Sequence, residues 1–525
     1  MAHRVESKER RAYKILIRTD SSVQIGTGHV MRCLTLADEL LGRGANVIFV
    51  CREFAGNLCG YIEDKGYVVH RLPVSDEQEH NIEGNLKHAA WLGADWQTDT
   101  RQVEEIIKDL ELTPDWLVVD HYALDEKWEG YLWPYVKKIM VIDDLADRPH
   151  NCDLLLDQNF YENLESRYDG LVPSRCKKLL GPMYALLRPE FREARKNVRK
   201  RDGHVKRIMI FFGGSDPTNE TAKALEAIRM LNRPDITVDV VVGAFNPHRK
   251  VIEQIASDLP DCACYFKVKD MAALMAGADL AVGAGGTTVW ERCALGLPSL
   301  VATVAENQER TVSDMAESGY LLFLGRSETV SVNSLYHVLK TALQSPCLLI
   351  SFARKTWSLV DGRGAKRVAQ EMMPLEITLR MATMDDCEAI YKWRNAEKTR
   401  RHIFDSKPIS LDEHRRWFQE SLEIPNRKIL IAELHGRSVG VLRYDIDGSL
   451  AVISIYTVPG INGHGIGTQI IRTGSNWLRR HFPDIHKIQA KVLPENAVSK
   501  KAFVNARYTE HHITYEESLT DEPCK

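Results

Sequence analysis

Apolar residues recur along this chain in two alternating rhythms. Short unbroken runs, Ile15-Leu16-Ile17, Val47-Ile48-Phe49-Val50, Trp116-Leu117-Val118-Val119 and Ile139-Met140-Val141-Ile142, are separated by stretches with apolar positions at helical spacing. Runs of this kind predict parallel strands buried on both faces, with helices between them. The rhythm holds from Lys14 to about Phe191. It resumes with Arg207-Ile208-Met209-Ile210-Phe211-Phe212-Gly213-Gly214, then Thr237 to Gly243, Leu280 to Gly283 and Ser299 to Ala302. Strand–helix alternation in two halves, each with its own glycine-rich turn, predicts an α/β protein with two doubly wound lobes facing across a cleft.

Between the halves, Arg192 to Arg207 is rich in charge and reads as an exposed hinge rather than a nucleic-acid patch. A third unit opens near Glu376, where Ile377-Thr378-Leu379-Arg380 precedes Asp385-Asp386 and a helix. Pro374 marks the boundary, since proline disfavours helix in the residue before it. The organisation expected is therefore a tail (1–12), a first lobe (13–195), a second lobe (203–373), a smaller α+β domain (376–510) and a closing tail (511–525).

Composition narrows the choice of partners. The 525 residues are 44% hydrophobic and carry a net charge of −3, which offers no large positive field for nucleic acid. No apolar run approaches the roughly 18 residues of a membrane span. The charged opening, Met1 to Arg11, lacks the core of a secretory signal. Eleven scattered cysteines include no Cys-x-x-Cys pair, and Cys262 and Cys264 are one residue apart. Reduced thiols in a cytoplasmic protein are the simplest account.

The chemistry concentrates in turns. After the first strand comes Ile25-Gly26-Thr27-Gly28-His29-Val30-Met31-Arg32, a two-glycine loop running into a helix. Glycines allow close backbone approach, and free amides at a helix start favour a diphosphate. His29 stands where the two meet and can take a proton near neutral pH. In the second half, Gly213-Gly214-Ser215 and Gly285-Gly286-Thr287 offer similar cradles, and Glu291 falls one helical turn after Thr287. Asp120, Asp143 and Asp144 end strands; the spacing gives no metal-ligand cluster, and no metal is expected. Tryptophans 91, 96, 116, 128 and 133 gather in the first half as core or cleft wall, with room for one to stack on a sugar.

Four segments carry a family resemblance. Ile25 to Ala37, Val119-Asp120-His121-Tyr122, Ile142 to Arg148 and Gly283 to Glu291, in that order, resemble the UDP-sugar hydrolases of pseudaminic acid biosynthesis, the PseG family. The likeness runs from about Tyr13 to Met372 and implies a fold similar to GT-B glycosyltransferases. It implies His29 as the base for water, with inversion at C1 and no cofactor. It further implies UDP-sugar contacts from Gly26, Gly28, Arg32, Tyr122, Gly213, Gly214, Ser215, Gly285, Gly286, Thr287, Glu291, Asn307 and Gln308. Either Asp120 or Asp144 is placed to orient His29.

The third unit resembles GNAT acetyltransferases. Ser454-Ile455-Tyr456-Thr457-Val458 reads as a strand leading into Pro459-Gly460-Ile461-Asn462-Gly463-His464-Gly465-Ile466-Gly467-Thr468 and an apolar helix. This looks like the acetyl-CoA loop, with Asn462 in place of the usual Gln or Arg. Val458, Asn462, Gly463, Gly465, Gly467, Thr468 and Asn496 are the implied acetyl-CoA contacts. Phe503 stands where many members have an acidic tyrosine, leaving Tyr456, Tyr508 or solvent as proton donor. The pseudaminic acid pathway contains both activities, so the combined resemblance implies a bifunctional enzyme acting on UDP-amino sugars with acetyl-CoA as cosubstrate. Two rivals remain: a glycosyltransferase using an acceptor hydroxyl, and a nucleotide-sugar sensor joined to a protein acetyltransferase.

Overall fold

The protein is described from a computed structural model, which covers residues 12–74, 87–243, 245–266, 268–374, 376–403, 406–434, 436–461 and 465–510. They fall into two compact units that divide at Pro374. The expected tails, apart from Ala12, lie outside the described residues.

The first unit holds two parallel sheets. In one, β1 (Lys14–Thr19), β2 (Asn46–Arg52), β3 (Val68–Leu72), β4 (Trp116–Asp120), β5 (Ile139–Ile142), β6 (Leu154–Asp157) and β7 (Lys177–Leu180) lie in the order β3-β2-β1-β4-β5-β6-β7. In the other, β8 (Arg207–Phe211), β9 (Thr237–Val241), β10 (Cys262–Tyr265), β11 (Leu280–Ala284), β12 (Ser299–Thr303) and β13 (Leu322–Arg326) follow the order β10-β9-β8-β11-β12-β13. Every residue of β4, β5, β11 and β12 is buried, because helices cover both faces of each sheet. Leu16, Leu117 and Val119 pack on one side of the first sheet, while Ile15, Ile17 and Val118 pack on the other. In each lobe the order reverses between the first and fourth strands, β1/β4 and β8/β11. Ligands of such folds lie beyond the strand ends at that crevice.

Two expectations change. The second lobe does not keep its last helix. Gly364–Met372 carries Ala365, Val368, Ala369 and Met372 on one face and buries them in the first lobe's core with Cys33 and Ala37 of helix Gly28–Leu41. The Trp116 indole donates to the Met372 carbonyl at 2.8 Å. The apolar spacing predicts such a helix but does not specify which lobe receives it. The charged segment 192–207 is not a loose hinge either. Arg201 is buried and donates to the carbonyls of Met275, Ala278, Leu295 and Gly296 at 2.6–3.2 Å. Arg195 donates to Ala294, Trp357 and Val360 carbonyls with its guanidinium 3.5 Å above the Trp357 ring. Carbonyls at and just beyond helix C-termini lack intrahelical partners, and these arginines supply them.

The second unit is one sheet, β14 (Ile377–Met381), β15 (Arg427–Leu434), β16 (Arg437–Asp447), β17 (Leu450–Thr457) and β18 (Lys487–Ala490), in sequence order. The first four strands are antiparallel, and β18 joins β17 in parallel. That last pairing covers only Leu450 to Ile453, so the two strands part over the second half of β17. Helix Leu411–Glu423 packs Phe418 on one face of the sheet, and helix Ile466–His481 packs Ile470, Ile471 and Leu478 on the other. Among the described residues, no helix is long and apolar enough to cross a membrane.

The return of the chain to the first lobe depends on Gly364, where a Cβ would lie 2.1 Å from the Ala185 carbonyl oxygen. Gly364→Ala is expected to cost about 2 kcal/mol, as overpacking against rigid backbone does. The readout is a lower thermal midpoint by calorimetry; an unchanged midpoint would refute this packing.

Candidate active site

The first crevice is built on a carboxylate. Asp120 ends β4 beside Thr19 of β1, and both are fully buried. The chain leaves β1 through a loop in which the Ser22 hydroxyl accepts from Ile25 N–H at 2.9 Å and the Ser22 carbonyl accepts from Gly26 at 2.9 Å. Gly26 has φ +77°, a conformation glycine adopts without strain. Helix Gly28–Leu41 then begins, and its first turn points His29 and Arg32 at Asp120.

All four acceptor positions of that carboxylate are filled. One oxygen accepts from His29 Nδ1 at 2.5 Å and Arg32 Nη2 at 2.6 Å; the other accepts from Arg32 Nε at 2.7 Å and the Cys33 thiol at 3.4 Å. Burial pushes the Cys33 thiol well up, so it stays protonated and donates. Burial opposes ionisation of Asp120 too, but the adjacent Arg32 and His29 hold its carboxyl far below the usual range. An ionised, saturated carboxylate requires a proton on His29 Nδ1, which donates to it. Of the two aspartates left open by the sequence, Asp120 is the one that touches His29.

Asp144 serves the neighbouring side chains. It accepts from Arg32 Nη1 at 3.0 Å and from the Tyr122 hydroxyl. Burial first, then the Asp144 charge, raise the Tyr122 phenol well above its ordinary value. Tyr122 stands edge-on to the His29 ring, 4.6 Å between centroids. Arg32 is therefore engaged by Asp120 and Asp144 within its own lobe, and only 5% of it is exposed.

The second lobe faces this group. Asn307, exposed on a short 3-10 turn, donates to the Tyr122 hydroxyl at 3.4 Å. A Cβ on Gly28 would lie 3.8 Å from the Thr287 hydroxyl, so the two glycine turns oppose each other. Gly285 is fixed by packing, since a Cβ there would meet Val312 at 2.6 Å. Gln308 accepts from Val304 N–H at 3.1 Å, so its side-chain oxygen holds the turn itself. Gly213 (φ +93°) and Gly214 have open space, and Ser215 is exposed. Asp216 behind them caps the Glu220 and Thr221 amides at 2.8 and 3.0 Å. Glu291 is met by Arg188 at 3.3 Å, a partner absent from the sequence reading. Burial raises the Glu291 carboxyl, with Arg188 pulling the other way.

In the second unit, Gly465 (φ +75°) caps helix Ile466–His481, and a Cβ on Gly467 would meet nothing. Thr468 lies in that open first turn; Asn462, Gly463 and His464 lie outside the described residues. The Val458 amide donates to the Val439 carbonyl at 3.0 Å and is already paired. Asn496 turns inward, its side chain accepting from Ser499 N–H at 3.0 Å as a helix cap. Phe503 is buried in the core, edge-on to Tyr508, whose hydroxyl pairs with Ser475 at 2.9 Å. Burial pushes the Tyr456 phenol up, against Arg394 and Arg443.

Two opposed lobes with parallel sheets, an acid–imidazole pair at one switch point and glycine turns at the other, make up the first unit. Residues 376–509 match the Acetyltransferase (GNAT) domain family. Over 309 residues the chain is 29% identical to the UDP-2,4-diacetamido-2,4,6-trideoxy-beta-L-altropyranose hydrolase of Campylobacter jejuni, covering 58% of this chain and 97% of that protein. It is 33% identical over 219 residues to the spore coat polysaccharide biosynthesis protein SpsG of Bacillus subtilis (41% and 63%). An uncharacterized protein of Methanocaldococcus jannaschii matches at 24% over 505 residues, 93% of this chain and 95% of its own length. Among solved structures, Acinetobacter baumannii MurG aligns with a TM-score of 0.49 at 14% identity, covering 69% of this chain and 99% of that one. The chain thus joins a PseG-like region to a GNAT acetyltransferase domain.

Behind the site, Asp157 is fully buried, accepting from Arg167 at 3.1 Å and the Tyr168 hydroxyl at 3.0 Å. Burial and the Asp144 charge push its carboxyl up to about 7. The folded protein keeps a proton that the unfolded chain gives up near ~3.9. Stability from this group is therefore full below about pH 4 and is lost as pH rises through 7. Asp157→Asn is expected to flatten the pH dependence of the unfolding midpoint over that window. Equal slopes in both proteins would contradict the assignment.

Proposed function

We propose that the first unit hydrolyses a UDP-sugar at its anomeric carbon, and that its substrate is UDP-2,4-diacetamido-2,4,6-trideoxy-β-L-altropyranose. The single observation that carries this reading is the His29–Asp120 pair at the β1/β4 crevice, facing the Gly285–Thr287 turn. Nε2 of His29 takes a proton from water, and the water oxygen bonds to C1. The C1–O bond to the diphosphate breaks with inversion, and UDP leaves with the electron pair. The imidazolium formed is held against ionised Asp120 until it returns its proton to solvent. Amides of Gly28, Gly286 and Thr287 hold the diphosphate, joined by Gly213, Gly214 and Ser215, with Glu291 on the ribose and Asn307 beside the sugar. The Gly26 and Gly285 amides are already paired with the Ser22 and Ala302 carbonyls and shape their turns instead. Arg32 acts through Asp120, keeping it charged and oriented. Gln308 acts through the turn it braces.

The GNAT domain acetylates an amine from acetyl-CoA, and the proposed acceptor is the 4-amine of UDP-4-amino-4,6-dideoxy-N-acetyl-β-L-altrosamine, the precursor of the hydrolase substrate. The neutral amine attacks the thioester carbonyl, the C–S bond breaks, and the thiolate takes a proton. The parted strands β17 and β18 and the open start of helix Ile466–His481 support the acetyl-CoA assignment. Acetylation and hydrolysis would then be consecutive steps, carried out in the cytoplasm.

The test supplies UDP-diacetamido sugar and no acceptor. Equal amounts of UDP and free sugar are expected. His29→Asn should lower kcat by about 10²- to 10⁴-fold, the range of a lost general base, with UDP affinity unchanged. Turnover that needs an added hydroxyl acceptor would favour a glycosyltransferase. In parallel, acetyl from labelled acetyl-CoA should appear by mass spectrometry on the UDP-4-amino sugar; label on protein alone would contradict the acceptor assignment.

A further inference from the structure

One aromatic cluster beside His29 has no part in the chemistry above. His88, Trp91 and Tyr122 form a triangle of rings: centroids are 4.4 Å apart for His88–Trp91, 5.8 Å for Trp91–Tyr122 and 5.4 Å for His88–Tyr122. Trp91 and Tyr122 are nearly parallel, at 26°. The triangle meets His29 through the Tyr122 ring, whose hydroxyl is already held by Asp144 and Asn307. Tyr122 therefore presents a ring to the cleft more than a donor.

The turn that carries Trp91 is built to hold it in place. It is a 3-10 turn, Ala89–Leu92, pinned from below by Leu92, buried with Val103 and Ile107. It ends at Gly93, φ +65°, where a Cβ would strike the Phe54 ring at 2.6 Å. At its start, Lys87 reaches the second lobe and pairs with Glu306 at 2.6 Å, next to Asn307. Leu92 fills the core, while Trp91 and His88 stay half-buried. Burial lowers the His88 imidazole, keeping that ring neutral and suited to packing on an indole. A large aromatic fixed at both ends of its turn, left half-open and one ring away from the base, has the make-up of a ligand wall.

We propose that Trp91, braced by His88 and Tyr122, is the platform on which the hexose ring of the nucleotide sugar packs, selecting sugars that carry methyl groups where common hexoses carry hydroxyls. This deepens the hydrolase reading and rests on it. The ring being attacked must lie against whatever borders His29. A 6-deoxy sugar with acetamido methyls offers apolar surface to an indole, whereas a 6-hydroxymethyl group would lose water there without gaining a partner.

The experiment measures binding in the His29→Asn background, where the sugar nucleotide stays intact. Calorimetric affinities are compared for UDP, UDP-diacetamido-trideoxy sugar and UDP-N-acetylglucosamine. Trp91→Ala should weaken the deoxy-sugar nucleotide about 10-fold or more, leave UDP within 2-fold, and affect UDP-N-acetylglucosamine less. Trp91→Phe should keep most of the affinity. With His29 present, Trp91→Ala should raise KM more than it lowers kcat. Retained UDP affinity serves as the folding control. Parallel loss of UDP and sugar-nucleotide affinity would overturn the proposal by making Trp91 a structural support. No change in either, or UDP binding with no sugar-nucleotide binding in the background protein, would overturn it also. Turnover absent from the unmutated protein would refute the hydrolase reading while the affinity comparison still decides the platform.

Discussion

The first unit depends on one buried negative charge. Asp120 is removed from water, and burial by itself opposes its ionisation. Arg32 reverses that outcome with a two-pronged bond, the geometry in which guanidinium and carboxylate pair best. Once ionised, the carboxylate has no choice but to accept, and His29 must give it the Nδ1 proton. Removing either charge would strand the other; an unpaired buried ion typically costs about 3–5 kcal/mol. Stability and the orientation of the His29 ring are therefore tied to the same pair.

The same constraint orders the surroundings. Arg32 reaches past Asp120 to Asp144, Asp144 holds Tyr122, and Tyr122 accepts from Asn307 of the opposite lobe. A single chain of polar contacts runs from the His29 helix across the cleft. The lobes are also joined where the Trp290 indole donates to Asn159 at 3.1 Å and Arg310 donates to Asn163 at 2.9 Å. The second unit is built differently, with strands that part and a helix start at Gly465 that has no side-chain cap.

Much of this was legible in the sequence, for physical reasons that can be named. β1, β4, β5, β11 and β12 are buried on both faces, so their apolar runs are unbroken. The edge strands β3 and β10 mix exposed and half-buried positions, which gives no comparable signal. The His29 turn announced itself through glycines and a helix start. Its partner did not: Asp120 reaches His29 because β1 and β4 pair in parallel with Thr19 opposite Asp120, a register that sequence spacing does not encode. The spacing of His29 and Arg32 on one helix face was the available clue. Helix Gly364–Met372 shows the same limit, since an apolar stripe specifies burial without naming its partner. Asn496 and Gln308 are implied as ligand contacts by the family resemblances alone, and in the structure their side-chain oxygens hold local backbone.

The central assertion is that Asp120 fixes which ring nitrogen of His29 is bare. Nitrogen NMR on ¹⁵N-histidine-labelled protein, with the signal assigned by its loss in His29→Asn, reads this directly. The expected result is a ring whose proton sits on Nδ1, with a pyridine-type Nε2. A His29 ring carrying its proton on Nε2 would contradict it.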